Sequence, residues 1–158
     1  MATMLEGVDT YDLLGGIKPM HEVIVLVNGC FDVLHRGHVE HLIEASYMGD
    51  HLIVALTNDA KVNKGPGRPI NTWHDRAHVL FALRMVDDVI ATDSAVDAIR
   101  IIRPAYFVKG IDYAGGNRWT EDIEGACKET GTVIRYTTAP KRSATDAIKK
   151  TMELLCQS

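Results

Sequence analysis

Residues 22–42 read EVIVLVNGCFDVLHRGHVEHL, and they decide the fold because they contain a strand, a turn and the start of a helix. The nearly continuous apolar run at the beginning is typical of a parallel strand that helices cover on both faces. After the turn, Val39, Leu42 and Ile43 recur at helical spacing, and Gly49 can stop that helix. The stretch therefore predicts the first β-strand and the first α-helix of an α/β sheet.

The alternation of short apolar runs with helical patterns continues to the end of the chain. It predicts five strands, at Val23–Val27, Leu52–Thr57, Asp88–Ala91, Tyr106–Lys109 and Val133–Tyr136. Further helices are expected from Asn71-Thr72 through Met85, from Ser94 through Ile102, near Glu121–Glu129 and from Ser143. Such alternation is typical of a parallel sheet with helices on both faces. We expect residues 21–158 to form this domain and residues 1–20 to form an N-terminal arm or extension.

The composition fits one soluble domain and argues against several classes of protein. The chain has 158 residues, of which 46% are hydrophobic and 24% charged, so it can bury one core. A net charge of −4 disfavours a nucleic-acid-binding protein, which would usually be basic. No apolar run approaches the roughly 20 residues that span a bilayer, and the first residues lack the features of a secretory signal. We therefore expect a cytoplasmic protein that binds neither membranes nor nucleic acid.

The cysteines suggest neither a disulfide framework nor a zinc site. They are odd in number, far apart in the sequence, and none belongs to a C-x-x-C pair. We expect reduced thiols at Cys30, Cys127 and Cys156.

The turn after the first strand contains the strongest candidate site. Ligands of open parallel sheets bind outside the carboxyl ends of the strands, and the H-x-G-H pattern of His35, Gly37 and His38 lies there. Gly37 would let phosphate oxygens approach the backbone, and the free N–H groups of the helix start favour an anion. Two imidazoles could then donate hydrogen bonds to a phosphate whose charge grows in a transition state. The alternative is that both histidines merely cap or pack the first turn of the helix.

His41 follows His38 at a spacing that could imitate a pair of metal ligands. A structural zinc site normally needs four ligands, and the sequence offers no suitably spaced cysteine or carboxylate set that would complete one. We therefore expect His41 to be a helix-surface residue and expect no protein-bound metal at this site, with metal ligation by His41 as the minor alternative.

The segment NGCFDVLHRGHVEHLIEA, residues 28–45, resembles the signature of the cytidylyltransferase-like nucleotidyltransferase superfamily. Further segments are similar to the adenylyltransferase domain of bifunctional ADP-heptose synthases: GPGRPIN (65–71), the helix near Trp73, VKGIDY (108–113) and SATDAIKK (143–150). Together these segments span about residues 22–150, in the expected order. The resemblance implies a Rossmann-like five-stranded parallel sheet of order 3-2-1-4-5 and an adenylyltransferase of the heptose 1-phosphate type.

The resemblance also implies which residues of the first turn and the following loop form the site. It assigns catalytic roles to His35, His38 and Lys64, the last reaching the phosphates of the nucleotide or of the acceptor. Lys61 is a weaker candidate for that role. Nucleotide or phosphate contacts are expected at Gly29, Cys30, Phe31, Asp32 and Gly37.

Two arginines belong to the same loop and to the helix that follows it. Arg68 lies in the glycine- and proline-rich segment, and Arg76 matches the arginine that follows this loop in the family. The resemblance implies that Arg76 fixes either the loop or the phosphates.

Nucleotide contacts are further expected after the fourth strand. In VKGIDY, Gly110 would permit close approach of the base or ribose beside Lys109, and Asp112 either accepts hydrogen bonds or stabilises the turn. All three residues are expected at the carboxyl edge of the sheet.

The start of the last helix offers a site for the β- or γ-phosphate. Arg142, the hydroxyls of Ser143 and Thr145, and free N–H groups would bind it. The resembling families have S-T-T where this chain has Ser143-Ala144-Thr145, so one hydroxyl is missing. Because Ser143 precedes Asp146 by three residues, an ordinary capping pair is the alternative.

The resemblance implies that a phosphate oxygen of the acceptor attacks the α-phosphorus of a nucleoside triphosphate and pyrophosphate leaves. Such an attack needs alignment and charge stabilisation more than a strong base. Mg²⁺ is expected with the triphosphate, held mostly by phosphate oxygens and water. Asp32 is the nearest candidate carboxylate, or else it braces the histidine turn. We expect ATP or CTP and a small phosphorylated acceptor as partners, and a homodimer.

Other functions stay open at this point. A cytidylyltransferase for glycerol 3-phosphate or another alcohol phosphate shares the histidine motif, and an FAD synthetase-like activity uses the same architecture. A catalytically silent nucleotide-binding module is the alternative from a different class. ADP-heptose synthases often contain a sugar kinase, for which this chain has no room, so we expect a separate kinase to supply the acceptor.

Overall fold

A five-stranded parallel sheet forms the centre of the computed structural model, which describes residues 22–114, 121–139 and 144–156. Its strand order is β3-β2-β1-β4-β5, and each neighbouring pair is parallel. The predicted fold is therefore confirmed. The strands are β1 (Ile24–Gly29), β2 (His51–Thr57), β3 (Asp88–Thr92), β4 (Tyr106–Gly110) and β5 (Val133–Thr137).

A helix connects each pair of consecutive strands and a fifth helix follows the last strand, as the alternation in the sequence predicts. They are α1 (Arg36–Ser46), α2 (Trp73–Phe81), α3 (Ala95–Ile102), α4 (Glu121–Thr130) and α5 (Ala144–Cys156). Thr72 and Ser94 cap α2 and α3, because each hydroxyl accepts the N–H of an aspartate three residues on. Residues 1–20, the expected arm, lie outside the described residues, as does Ser143.

The second helix is shorter than predicted. We expected it to run through Met85, but it ends at Phe81 with Ala82 as its cap. The N–H of Val86 bonds to the carbonyl oxygen of Leu83 at 3.0 Å, so the chain turns there and enters β3. The need to bring Asp88 into the sheet beside β2 ends the helix earlier than its apolar pattern suggests.

The two faces of the sheet bury separate apolar layers, because side chains alternate along a strand. Val25 and Val27 of β1 pack with α1 and α2, whereas Leu26 between them packs with α3 and α4. The side chains of these three residues are fully buried. Helices therefore cover both faces of the sheet.

Gly49 lets the chain turn tightly between α1 and β2. A Cβ at this position would lie 2.4 Å from the carbonyl oxygen of Val23, closer than any side chain can approach. Next to it, the N–H of Asp50 bonds to the same oxygen at 2.8 Å. This contact aligns the beginning of β2 with β1, and so brings their carboxyl ends together.

Candidate active site

The turn between β1 and α1 has a constrained backbone. Phe31 adopts a left-handed conformation with φ of 46°, which is uncommon for a bulky residue. Its side chain is buried. A Cβ on Gly29 would lie 2.7 Å from the Phe31 ring, so the glycine makes room for this packing. Strained conformations of this kind cost on the order of 1–3 kcal/mol and cluster at functional sites.

The two histidines of the H-x-G-H motif lie against each other at the start of α1. His35 is the N-cap of α1, and its Nδ1 accepts the N–H of His38 at 3.3 Å. The two imidazole rings stack with centroids 3.7 Å apart and an interplanar angle of 12°. The ring of Phe31 meets His38 edge-on at 5.1 Å. His35 therefore caps α1, as the alternative interpretation expects, and this cap also places both rings at the helix N-terminus.

His38 is held in its neutral form near neutral pH. Burial lowers the pKa of its imidazole to about 3, with further lowering by the charges of His35, Lys64 and His41. Its Nδ1 is buried and has no hydrogen-bond partner among the described residues. Because buried polar atoms are normally paired, this nitrogen is a candidate contact for a ligand.

Asp32 ties the glycine- and proline-rich loop to the histidine turn. Its Oδ1 accepts the N–H groups of Ile70 and Asn71 at 2.8 and 2.9 Å, and its Oδ2 accepts Nε of Arg68 at 2.5 Å. Burial alone would raise the pKa of Asp32, but these hydrogen bonds and the Arg68 charge together lower it. These contacts correspond to the alternative in which Asp32 braces the histidine turn.

The nearest candidate carboxylate for a cation at this turn is Asp32. Both carboxylate oxygens of Asp32 are already engaged, and no group of three or more His, Cys, Asp or Glu side chains converges in the part of the chain that the structure describes. A magnesium ion that is bound mainly by phosphate oxygens and water would fit such a site.

Arg76 is buried and connects the carboxyl ends of β1 and β2 by hydrogen bonds. Its guanidinium donates to the carbonyl oxygens of Cys30, Thr57 and Asn71 at 2.6, 2.9 and 3.1 Å. It also pairs with Asp59 at 2.6 Å. The residue is 2% exposed, so these contacts correspond to the loop-fixing alternative. A direct contact with phosphate stays a prediction.

Lys64 lies on the exposed loop between β2 and α2. Its charge is among the causes that lower the pKa of His38. Lys61 ends a short 3₁₀ turn at Asp59–Lys61 and is also exposed.

Lys109 lies beside the end of β1, and it reveals a residue that the sequence analysis missed. Its Nζ donates to the backbone oxygen of Asn28 at 2.9 Å and lies 3.4 Å from Asn28 Oδ1. The Nδ2 of Asn28 donates in turn to the carbonyl oxygen of Ala55 at 3.0 Å. These bonds link β4, β1 and β2 across the carboxyl edge, next to Gly110 at the end of β4. The sequence did contain a signal for Asn28, because it is a polar residue directly after the apolar run 23–27.

His41 corrects the expectation of a helix-surface residue. It is half-buried, and its Nδ1 lies 2.6 Å from Oγ1 of Thr137, the last residue of β5. One turn later, Glu44 accepts the N–H of Thr138 at 2.6 Å. The face of α1 that contains His38 and His41 therefore contacts the carboxyl end of β5. In the sheet, β5 lies on the β4 side of β1.

Several predicted site residues cannot be placed relative to these groups. Arg142 and Ser143 lie outside the described residues. Asp112 belongs to the 3₁₀ turn Ile111–Tyr113 and Thr145 to α5, but their side chains are not described. The last phosphate motif therefore stays a prediction from the sequence.

No described helix is long and apolar enough to cross a membrane.

Comparisons with solved structures support the fold. The lipopolysaccharide core biosynthesis protein from Thermoplasma volcanium superposes with a TM-score of 0.63 at 22% identity, covering 78% of this chain and 100% of that one. The pantoate-β-alanine ligase from Francisella tularensis superposes with a TM-score of 0.54 at 16% identity, covering 78% of this chain and 61% of that one. At such identities the likeness concerns the fold alone.

Comparisons with protein sequences show the family. The cytidylyltransferase-like family model matches residues 26–152. The bifunctional protein HldE of Aliarcobacter butzleri is 40% identical over 134 residues, which cover 82% of this chain and 27% of that protein. For HldE of Azotobacter vinelandii the identity is 51% over 108 residues, covering 64% and 23%. The chain thus spans about a quarter of the length of these relatives. By its sequence and its fold, the chain belongs to the cytidylyltransferase-like family and is a nucleotidyltransferase.

Proposed function

We propose that the chain transfers AMP from ATP to a sugar phosphate of the heptose 1-phosphate type and releases pyrophosphate. The observation that supports this most is the stacked pair of His35 and His38 at the N-terminus of α1, with a buried and unpaired Nδ1 on His38. A helix N-terminus favours an anion, and an unpaired buried imidazole nitrogen provides a contact for one.

The two imidazoles would act on the α-phosphate of the nucleotide. A neutral His38 can donate one hydrogen bond to a phosphate oxygen while its low pKa keeps it from titrating near pH 7. Gly37 is buried at the second position of α1, and its lack of a side chain would let that oxygen approach the backbone. The attacking acceptor oxygen is already ionised near neutral pH, so positioning and charge stabilisation would supply most of the rate enhancement.

The remaining negative charge would be balanced by groups around this pair. Lys64 would reach the phosphates from its exposed loop, and Lys109 would contribute a positive charge at the end of β4. Arg142, Ser143 and Thr145 stay candidates for the pyrophosphate end. When bound with the triphosphate, Mg²⁺ would neutralise charge on the phosphate oxygens and favour departure of pyrophosphate.

The preference for ATP and a heptose phosphate rests on similarity. The segments GPGRPIN, VKGIDY and SATDAIKK resemble the adenylyltransferase domain of bifunctional ADP-heptose synthases, and the sequence relatives are named bifunctional protein HldE. The second candidate is a cytidylyltransferase for glycerol 3-phosphate or another alcohol phosphate, which the cytidylyltransferase-like family model favours. A homodimer and a cytoplasmic location stay predictions of the sequence.

Pyrophosphate release tests this proposal. The purified chain is incubated with Mg²⁺, with ATP or CTP, and with heptose 1-phosphate or glycerol 3-phosphate. We expect release with ATP and heptose 1-phosphate, and a fall on the order of 10²–10³ in rate for His35→Ala. His78→Ala, which changes an exposed histidine of α2, is the matched control. Release only with CTP and glycerol 3-phosphate would support the second candidate. Nucleotide binding without release from any pair would support a silent binding module instead.

A further inference from the structure

We propose that His41 is a positioning residue of this site, which fixes α1 against β5 through Thr137 and thereby sets where the His38 imidazole stands. This inference rests on the proposed function. It adds a residue outside the H-x-G-H motif, for which the sequence predicted a position on the helix surface.

The first support is the arrangement of three side chains along α1. His38, His41 and Glu44 follow one another at intervals of three residues, so they share one face of the helix. His38 lies at the candidate site, and the charge of His41 is among those that lower its pKa. His41 and Glu44 contact Thr137 and Thr138. Any rotation of α1 about its axis would therefore move His38 and break both contacts.

The second support is the burial of Thr137 and its position in the sheet. Thr137 is 1% exposed, and its Cα pairs with that of Gly110, the last residue of β4. Its Oγ1 lies 2.6 Å from Nδ1 of His41. Parallel pairing with β4 holds β5, and with it Thr137, in the sheet. The bond therefore connects α1 to the part of the molecule that forms the carboxyl edge, where the nucleotide is proposed to bind.

The expected effect follows from the sensitivity of catalysis to geometry. A displacement of about 1 Å at a reacting group can lower a rate by about 10²-fold. Loss of the bond between His41 and Thr137 would leave His38 chemically intact but less well placed. It should lower kcat more than it changes the KM for the nucleotide, because the contact that His38 makes is strongest in the transition state.

Four variants test the pair. His41→Leu removes the bonding atom, whereas His41→Asn keeps one close to the position of Nδ1. Thr137→Val removes the hydroxyl with little change of shape, and the fourth variant combines His41→Leu with Thr137→Val. Thr137→Ser, which keeps the hydroxyl, is the matched control. Circular dichroism and a urea titration establish that each variant is folded before its kinetics are compared.

We expect His41→Leu and Thr137→Val each to lower kcat by about 10- to 100-fold with the KM for ATP within about threefold. The double variant should be no slower than the slower single variant, because both changes remove one interaction. His41→Asn and Thr137→Ser should retain kcat within about threefold. A His41→Leu protein with unchanged kcat, or a double variant whose losses multiply, would overturn the inference while pyrophosphate release by the unchanged chain still supported the proposed function.

A measurement without turnover separates the two proposals. Long-range ¹H–¹⁵N spectra report the imidazole of His38 directly in the folded chain. We expect its ring signals to move in His41→Leu and Thr137→Val and to return toward their original positions in His41→Asn. Unchanged His38 signals in all three variants would overturn the positioning role, whether or not the chain releases pyrophosphate.

Discussion

Arg76 of α2 donates a hydrogen bond to the backbone oxygen of Cys30 at 2.6 Å, although 46 positions separate the two residues. Cys30 belongs to the turn that leads to the histidines, so a buried guanidinium supports the backbone on which the candidate site is built. The same side chain holds the end of β2 through Thr57. The shape of the site therefore depends on a residue that is itself 2% exposed.

Replacement of Arg76 by Leu should destabilise the fold strongly. Three carbonyl oxygens would lose their donor, and an unsatisfied buried acceptor costs about 1–3 kcal/mol, so we expect a loss of about 3 kcal/mol or more. The ion pair with Asp59 should contribute little, because the Asp59 side chain is 47% exposed. Urea unfolding measures the change.

Two further arginine variants sharpen this test. Arg76→Lys should not restore stability, because an ammonium group cannot match the planar set of guanidinium donors. Arg84→Leu, at an exposed position, should change stability by less than about 0.5 kcal/mol. Equal stability of the Arg76→Leu and Arg84→Leu proteins would contradict the proposed bracing role.

The stability of the folded chain should rise with pH between about 3 and 6.5 because of His38. The pKa of this imidazole is about 3 in the folded protein against 6.5 as its ordinary value. Between these values the unfolded chain binds a proton that the folded chain does not. The free energy of unfolding should therefore increase with pH from about 3 to 6.5, by at most about 1.4 kcal/mol per unit from this group.

Urea midpoints measured between about pH 4.5 and about pH 7.5 reveal this slope with little contribution from carboxylates. His38→Asn should flatten it below pH 6.5, whereas His78→Asn, at an exposed position of α2, should leave it unchanged. The same slope in the His38→Asn protein would show that another group causes the dependence.

Lys64→Ala should impair catalysis without affecting stability. The side chain is exposed, so its removal should change the free energy of unfolding by less than about 0.5 kcal/mol. If Lys64 stabilises the developing phosphate charge, kcat/KM for pyrophosphate release should fall by about 10²-fold. Lys61→Ala in the same loop region is the matched control and should lose less than about threefold. Similar losses in both variants would indicate a general effect of loop charge.

Asp32→Asn should uncouple the loop from the histidine turn. The variant leaves the Arg68 side chain, which is 8% exposed, without its carboxylate partner. Breaking a buried pair from one side typically costs about 3–5 kcal/mol. Urea unfolding near pH 7 measures the loss, and Asp122→Asn on the exposed face of α4 should cost less than about 1 kcal/mol.

The same carboxylate should contribute to acid unfolding. The pKa of Asp32 lies below its ordinary value of 3.8, so its stabilisation is present above that value and is lost as the pH falls below it. The Asp32→Asn protein should therefore show a weaker dependence of stability on pH below about 4 than the unchanged chain. An identical acid transition in both proteins would exclude this role.

Local patterns in the sequence determined the parallel sheet and the position of the histidine motif. Near-continuous apolar runs such as 23–27 predict strands covered on both faces, and the order of motifs predicts the strand order by resemblance. The H-x-G-H residues lie close together along the chain, so the local pattern predicts that His35 and His38 both lie at a helix start. The end of α2 was predicted less well, because the geometry of entry into β3 ends the helix before its apolar pattern does.

Only the tertiary structure decided how the surrounding residues are used. Asp32 meets Arg68 across 36 positions, Arg76 meets Cys30 across 46, and His41 meets Thr137 across 96. No periodicity relates such distant residues, because they come together only when parallel strands align their carboxyl ends at one edge. The same chemical groups would be solvated charges on an isolated helix or loop. Burial at that edge makes Arg76 a structural tie and leads us to infer a positioning role for His41.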